Sequence, residues 1–294
     1  MRTLGLLVAL ALPLMSAPAA DSTTTVARTA NDRPAVVGER VIGHSVRGRP
    51  ITAWHLGEPG RPGAARVLLI AGMHGNEGAP RGILEALRDG PVLQGVDLWV
   101  VPAYNPDGLA AHTRRNAHGV DLNRNYPYAW TDLDGSYESG PGPASEPETR
   151  AMMRFLRRIR PHYILSFHQP LNSVDTDTKD ERFARRVARY LHLPRSSLTC
   201  GGVCHGTMTG WYNHHFRGTA LTVEYGAHPG RVRMRRTAPT QVLGIFGAWR
   251  GRPGFELVPG TQPEPALAPS VLRRRASPWP RTRPPRPGGR WSHR

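Results

Sequence analysis

Lysine is almost missing from this sequence: of 39 basic residues, every one except Lys179 is arginine. Acidic residues are also scarce, 22 against those 39, which leaves a formal charge of +17. Such a charge invites a nucleic-acid reading, but arginine in excess beside alanine, proline and glycine reflects coding bias as much as a design for phosphate. Aromatics make up only 7% and are not interleaved with the basic residues as base stacking would require, so the composition argues against a nucleic-acid partner. Cysteine is confined to Cys200 and Cys204, which excludes a disulfide-built scaffold. Their C-x-x-x-C-H spacing is also wrong for haem attachment, so a small disulfide or two free thiols are the remaining options. Long apolar runs are lacking as well. The longest, Leu4 to about Leu14, is too short to span a bilayer comfortably, so no transmembrane segment is expected.

That short run has a specific setting. Arg2 precedes it and Ala17-Pro18-Ala19 follows, the order of a secretory signal peptide with a small-x-small cleavage site. The expected organisation is a signal peptide at 1–19, a polar linker at 20–33, a catalytic domain at 34–252 and a Pro/Arg-rich disordered tail at 253–294. The mature protein is expected to be secreted or to reside in the periplasm or cell envelope. From residue 259 the tail holds eight arginines and one glutamate, a composition that cannot bury a core and that suits electrostatic contact with an anionic cell envelope.

Between these ends, short branched or aromatic runs alternate with helical patterns. Segments 51–56, 65–72, 96–101, 163–168 and 219–226 read as strands, and 79–88, 146–159, 180–191 and about 237–250 read as helices. Ser145 with Glu148 three residues later has the spacing of a capping box, and Pro161 marks the end of that helix. Strands alternating with helices predict an α/β fold with a largely buried sheet.

Polar residues with chemical potential gather at the ends of these strands. AGMHGNEG, residues 71–78, places His74 and Glu77 in a glycine-rich turn that, taken alone, reads first as a polar turn and only second as half of a metal site. His168 closes the run YILSFH, and Glu224 falls near the end of TALTVEYG. Two imidazoles and one carboxylate leave a tetrahedral zinc with one open position for water, the arrangement of a catalytic zinc site. A carboxylate finishing an apolar strand is costly to bury without a task, and Glu224 beside such a site has one as general base. The run NPDGLAAHTRRNAHGVDLNRNYP concentrates Arg114, Arg115 and Arg124 with several asparagines, a set able to bind carboxylates and oxyanions, or else simply a solvated loop.

In order along the chain, H-x-x-E at His74 and Glu77, NPDG at 105–108, Arg114, DLNRN at 121–125, His168 and Glu224 resemble the zinc carboxypeptidases of the M14 type. The spelling TRRNAHGVDLNRNYP is similar to the bacterial branch of murein peptide amidases and γ-D-glutamyl-diaminopimelate peptidases. The resemblance implies a single zinc-carboxypeptidase-like α/β domain, a mixed central sheet flanked by helices on both faces. It implies one Zn2+ held by His74, Glu77 and His168, with Glu224 as base and then proton donor. It gives Arg114 the oxyanion, and Asn123 and Arg124 the terminal carboxylate of a peptide substrate, which this branch takes from peptidoglycan. Thr209 falls where the family selects the terminal side chain. Two departures stand out: Asn76 replaces the arginine that often precedes the glutamate, and no tyrosine occurs from 193 to 211, where the family's mobile tyrosine is sought. An acylamino-acid deacylase of the related zinc class and a non-catalytic exported binding module are the alternatives. Asp175 and Asp177 stand either as partners for a substrate amino group or as loop surface.

Overall fold

The computed structural model describes residues 33–198 and 204–251. The expected signal peptide, all but the last residue of the linker, the tail and Cys200 lie outside the described residues.

The central elements follow from where the apolar runs fall. Strands β1 (Val36–His44) and β2 (Pro50–Gly57) form an antiparallel pair at one edge, followed in the chain by β3 (Arg66–Ile70), helix α1 (Arg81–Arg88), a short β4 (Leu93–Gln94) and β5 (Asp97–Val101). Next come α2 (Pro106–Ala111), α3 (Pro147–Ile159), β6 (Tyr163–His168), β7 (Leu171–Asp175), α4 (Glu181–Leu191) and β8 (Arg195–Ser196). Helix α5 (Met208–His215), β9 (Thr219–Gly226), α6 (Ala238–Ile245) and β10 (Trp249–Arg250) complete the described chain. Eight strands make one mixed sheet in the order β1-β2-β5-β3-β6-β9-β7-β8, in which β5, β3, β6 and β9 run parallel. The expected α/β fold, with a mixed sheet between helices, is what the chain adopts.

Side-chain alternation along the parallel strands divides the core. Val67, Leu69, Leu165 and Val223 pack with α1, α4 and α6, whereas Leu68, Ile70, Ile164 and Ala220 pack with α3 and α5. Helix α4 shows the matching periodicity: Phe183, Ala184, Val187, Ala188 and Leu191 are buried, and Asp180 caps the helix by accepting from the Phe183 amide at 3.0 Å. Truncating Leu191 to alanine removes a fully buried side chain there and costs about 2–5 kcal/mol.

Three local expectations are corrected. The capping box at Ser145 does not form. Glu146 is the N-cap without a side-chain cap bond, Ser145 Oγ donates to Glu146 Oε1, and Glu148 turns inward to accept from the Val46 amide and Asn116 Nδ2. Pro147 at the first helical position brings its preset φ and no amide, so the helix starts one residue late for the box. The last helix ends at Ile245 rather than near 250, because the chain turns at Gly247 (φ 64°) and pairs β10 with β4. Strands β1 and β7 and helix α5 are not marked by the sequence pattern, since β1 has no fully buried position, β7 buries only the adjacent Ser173 and Val174, and α5 is apolar only at Met208, Trp211 and Tyr212.

Candidate active site

Sheet register assembles the first part of the site. Strands β6 and β9 are parallel neighbours with His168 opposite Glu224, and both residues share the parity of Ile164 and Ala220, so both sit on the α3/α5 face at the carboxyl end. Strand β3 lies on the other side of β6, and the chain leaving it enters the His74–Glu77 turn. The crossover after β3 carries α1 on one face and the crossover after β5 carries α3 on the other. The carboxyl end of β3 is therefore a switch point, where α/β sheets open a crevice.

Glycine makes the turn compatible with its neighbours. A Cβ on Gly75 would stand 1.9 Å from the Gly108 carbonyl carbon, so no other residue fits where the turn touches α2. The NPDG segment serves as the bracket: Asn105 Oδ1 accepts from the Gly108 amide at 2.9 Å while its Nδ2 donates to the Met73 carbonyl at 3.2 Å.

His74, Glu77 and His168 are all buried, and their donor atoms lie within 4.8 Å of one another. His74 Nδ1 is 2.7 Å from Glu77 Oε1, His168 Nδ1 is 2.9 Å from Glu77 Oε2, and the two Nδ1 atoms are 3.3 Å apart. The outer nitrogens are engaged too: His74 Nε2 is 3.0 Å from Asp121 Oδ1 and His168 Nε2 is 2.9 Å from Ser166 Oγ. An ionised Asp121 only accepts, so a neutral His74 carries its proton on Nε2 and turns its Nδ1 lone pair on the Glu77 carboxylate. A pocket where lone pairs converge in this way is balanced by a positive charge at its centre. Zinc fits, since ligands at about 2.0–2.1 Å in a tetrahedron lie about 3.3 Å apart, the separation of the two imidazole nitrogens. A carboxylate behind a ligand histidine is the usual support of such a site.

The electrostatics follow the same geometry. Burial lowers the affinity of the His74 imidazole for a proton, but the Asp121 and Glu77 carboxylates outweigh it and raise its pKa above the ordinary value. Burial pushes Glu77 up, yet hydrogen bonds with His168 and His74 hold it down at about 2. Glu224 goes the other way, raised chiefly by burial, with only partial relief from His168. Its Oε2 accepts from the Leu171 amide at 3.3 Å.

The arginines occupy distinct layers. Arg114 grips Asp121 Oδ2 through Nε at 3.0 Å and Nη2 at 2.8 Å, which turns Nη1 toward Glu77 Oε1 and His74 Nδ1, both at 3.3 Å. Arg124 is 4% exposed and donates from Nη1 to the Asn123 carbonyl at 2.7 Å. Asn123 Oδ1 accepts from the Met208 amide at 3.1 Å, which ties this segment to the first turn of α5, where half-buried Thr209 is the next residue. Gly206 (φ 59°) lets the chain lie against Arg124, whose carbonyl oxygen would be 2.2 Å from an added Cβ. The metal donors, Glu224 and Arg114 thus converge, and Asn123, Arg124 and Thr209 form an adjoining layer. Asp175 instead stabilises its own loop, accepting from the Asp177 and Leu198 amides, and Asp177 is exposed. Cys204 is disulfide-bonded, so the free-thiol option does not hold for it.

Four residues with evident parts in the site carried no role in the sequence reading. Asp121 stands inside DLNRN as its anchor, and Ser166 two positions before His168 shares that residue's face. Gln169 ties three loops together: its amide donates to Glu77 Oε2, its Oε1 accepts from the Ala79 amide, and its Nε2 donates to the Gly226 and Ala227 carbonyls. Tyr137, 42% exposed, has the Arg124 guanidinium 4.7 Å from its ring centre and that of Arg114 at 5.5 Å. The i, i+2 parity of Ser166 was available in the sequence; nothing local signalled the other three.

A family model described as zinc carboxypeptidase, peptidase family M14, matches residues 23–174. The chain belongs to the zinc carboxypeptidase family. The match includes His74, Glu77 and His168 and stops before Glu224. Among curated relatives, murein peptide amidase A of Escherichia coli (strain K12) is 35% identical over 189 residues, covering 58% of this chain and 75% of that protein. The enzyme of the same name from Vibrio campbellii is 33% identical, over 44% of this chain and 58% of its own. Among solved structures, murein-tripeptide amidase from Escherichia coli O157 superposes with a TM-score of 0.59 at 26% identity, over 73% of this chain and 93% of that one. Carboxypeptidase A from Helicoverpa armigera, at 16% identity and a TM-score of 0.57 over 72% of this chain and 68% of its own, shares the fold. This zinc carboxypeptidase family member is therefore a metallopeptidase-type hydrolase by descent, and the family's zinc dependence agrees with its His-Glu-His cluster.

Proposed function

We propose that the protein is an exported zinc peptidase that removes the terminal residue of a peptide carrying a free carboxylate, with γ-D-glutamyl-diaminopimelate bonds of peptidoglycan-derived peptides as its substrate. The observation that carries this reading is the convergence of His74, Glu77 and His168 with Glu224 one strand away in direct register. Those three residues would hold the ion, which when bound supplies Lewis acidity that acidifies water and polarises a carbonyl.

The chain's own groups do the rest. Glu224, raised by burial, is suited to take a proton from the attacking water and to return it to the leaving amine. Arg114 is oriented by Asp121 with Nη1 directed at the His74–Glu77 cluster, where it would turn to the carbonyl oxygen as charge develops on it. Asn123 and Arg124 receive the terminal carboxylate, and Thr209 faces the terminal side chain in the role its position in the family suggests. The cell-wall substrate is supported by the likeness to murein peptide amidase A and by the N-terminal sequence typical of export. Contact of the arginine-rich tail with the envelope belongs to the same proposal.

The test is mass spectrometry of products from a panel of murein tripeptides, ordinary peptides and acylated amino acids, alongside metal analysis of the active protein. Release of diaminopimelate with one zinc per chain is expected. Trimming of ordinary peptides alone refutes the cell-wall substrate, and cleavage of acylated amino acids alone makes the protein a deacylase.

A further inference from the structure

Helix α3 presents an unusual surface. Its exposed positions are Arg150, Arg154, Arg157 and Arg158, and Arg160 follows as an exposed C-cap, so the solvent face from 150 to 160 consists of arginine alone. The helix has carboxylates of its own, but they face inward: Glu146 is 2% and Glu148 0% exposed, both bonded to Asn116. Among the described residues none of the five arginines forms an ion pair. Arginines elsewhere do: Glu85 pairs with Arg81 and Arg235, and Glu181 with Arg185 and Arg195.

This arrangement works against the helix itself. Arg150 with Arg154, and Arg154 with Arg158, are like charges at i, i+4, the spacing at which they repel. The negative end of the helix dipole offsets this for Arg157, Arg158 and Arg160 but not for Arg150 near the positive end, which donates instead to the Ala144 and Ser145 carbonyls. A row of unneutralised guanidiniums about 15 Å long, estimated from the helical rise, is complementary to an extended polyanion.

We propose that the α3 face docks a linear phosphate polymer without bases, separately from the candidate active site. Two observations select this partner. Every apolar residue of α3 after Pro147 is buried against the sheet, leaving no large apolar side chain to insert into an acyl layer, which disfavours a membrane surface. The ring that the row contacts, Trp211 under Arg157, is 2% exposed and cannot stack on a base, which disfavours single-stranded nucleic acid.

The test titrates the full chain with inorganic polyphosphate over a salt series. One variant carries Arg154→Gln, Arg158→Gln and Arg160→Gln. A control loses the same charge through Arg182→Gln, Arg231→Gln and Arg236→Gln, exposed positions outside α3. The tail is present in both, so its contribution cancels. Wild type is expected to bind with a steep salt dependence, and the α3 variant to lose at least about tenfold in affinity and about three in the log–log salt slope. The control should change less than about twofold, with thermal stability and activity on a soluble peptide unaltered in all. Equal losses in the two variants would show bulk charge rather than a docking face. Tighter binding to phosphatidylglycerol vesicles or to single-stranded DNA than to polyphosphate would likewise overturn the proposal.

Discussion

Two buried aspartates, one at each end of the sheet, hold an imidazole and a guanidinium in nearly the same way. Asp97, at the start of β5, has Oδ1 2.7 Å from His55 Nε2 and takes Arg66 Nε on Oδ2 at 2.9 Å. Asp121, beyond the carboxyl end, has Oδ1 3.0 Å from His74 Nε2 and takes Arg114 on Oδ2. What separates them is the far side of each imidazole. His55 stacks on Trp99 with centroids 4.0 Å apart and planes 14° apart, an apolar neighbour that asks nothing of the ring. His74 turns its other nitrogen to Glu77 and His168. An Asp-His-Arg group is therefore not itself a signature of chemistry, and the second neighbour of the ring decides whether it is a structural clasp or the rear support of a metal site.

The sharpest way to break this comparison is to remove each imidazole. His74→Ala should abolish zinc retention and reduce activity to background, while His55→Ala should keep both and lose only stability, as followed by metal analysis and thermal melts. Next in size, Glu224→Gln should lower kcat by about a thousandfold while zinc content stays at the wild-type level. Full activity in that variant would end its assignment as base. Replacing the aspartates comes third. Asp121→Asn should weaken zinc binding by about 10–100-fold in competition with a chelator, and Asp97→Asn should leave it unchanged. Tyr137→Ala should raise KM severalfold with a smaller change in kcat, since it frees the two guanidiniums rather than touching the proton carriers, and Tyr137→Phe should restore most of it.

The smallest effect concerns acid stability. Burial pushes the Asp97 carboxyl up, but its bonds with His55 and Arg66 outweigh this and hold it below the ordinary 3.8. A depressed carboxylate contributes stability above its unfolded value of about 3.8, and that contribution is lost as pH falls through the lower folded value. Asp97→Asn should thus be less stable at neutral pH, by about 1–3 kcal/mol, and its deficit against wild type should shrink below about pH 4. A deficit constant from pH 3 to 7 would show that the contribution is packing rather than charge.

Legibility in the sequence tracked how local the cause was. The runs at β3, β6 and β9 were readable because central strands are buried on both faces and so are continuously apolar. The edge strand β1 and the short β7 lack that pressure and left little pattern. The Ser145–Glu148 spacing misled, because Glu148 found a partner a hundred residues away, the Val46 amide, that no local rule weighs.

For the site, the ligand residue types and their places at strand ends were determined by the sequence alone: a polar group closing an apolar strand stands out against its background. Asp121, Gln169 and Tyr137 were not, because their parts depend on loops that meet only when the sheet is formed. Residue type and period were enough for the α/β alternation, the candidate donors His74, Glu77 and His168, and Glu224 beside them. Packing decided that His168 and Glu224 stand in register on one face and that Arg114 is steered by Asp121. It also decided that the acids of α3 turn inward and leave its arginines outside. The physical reason is that residue type and period are properties of a segment, whereas register, burial and the second partner of each polar group are properties of segments packed together.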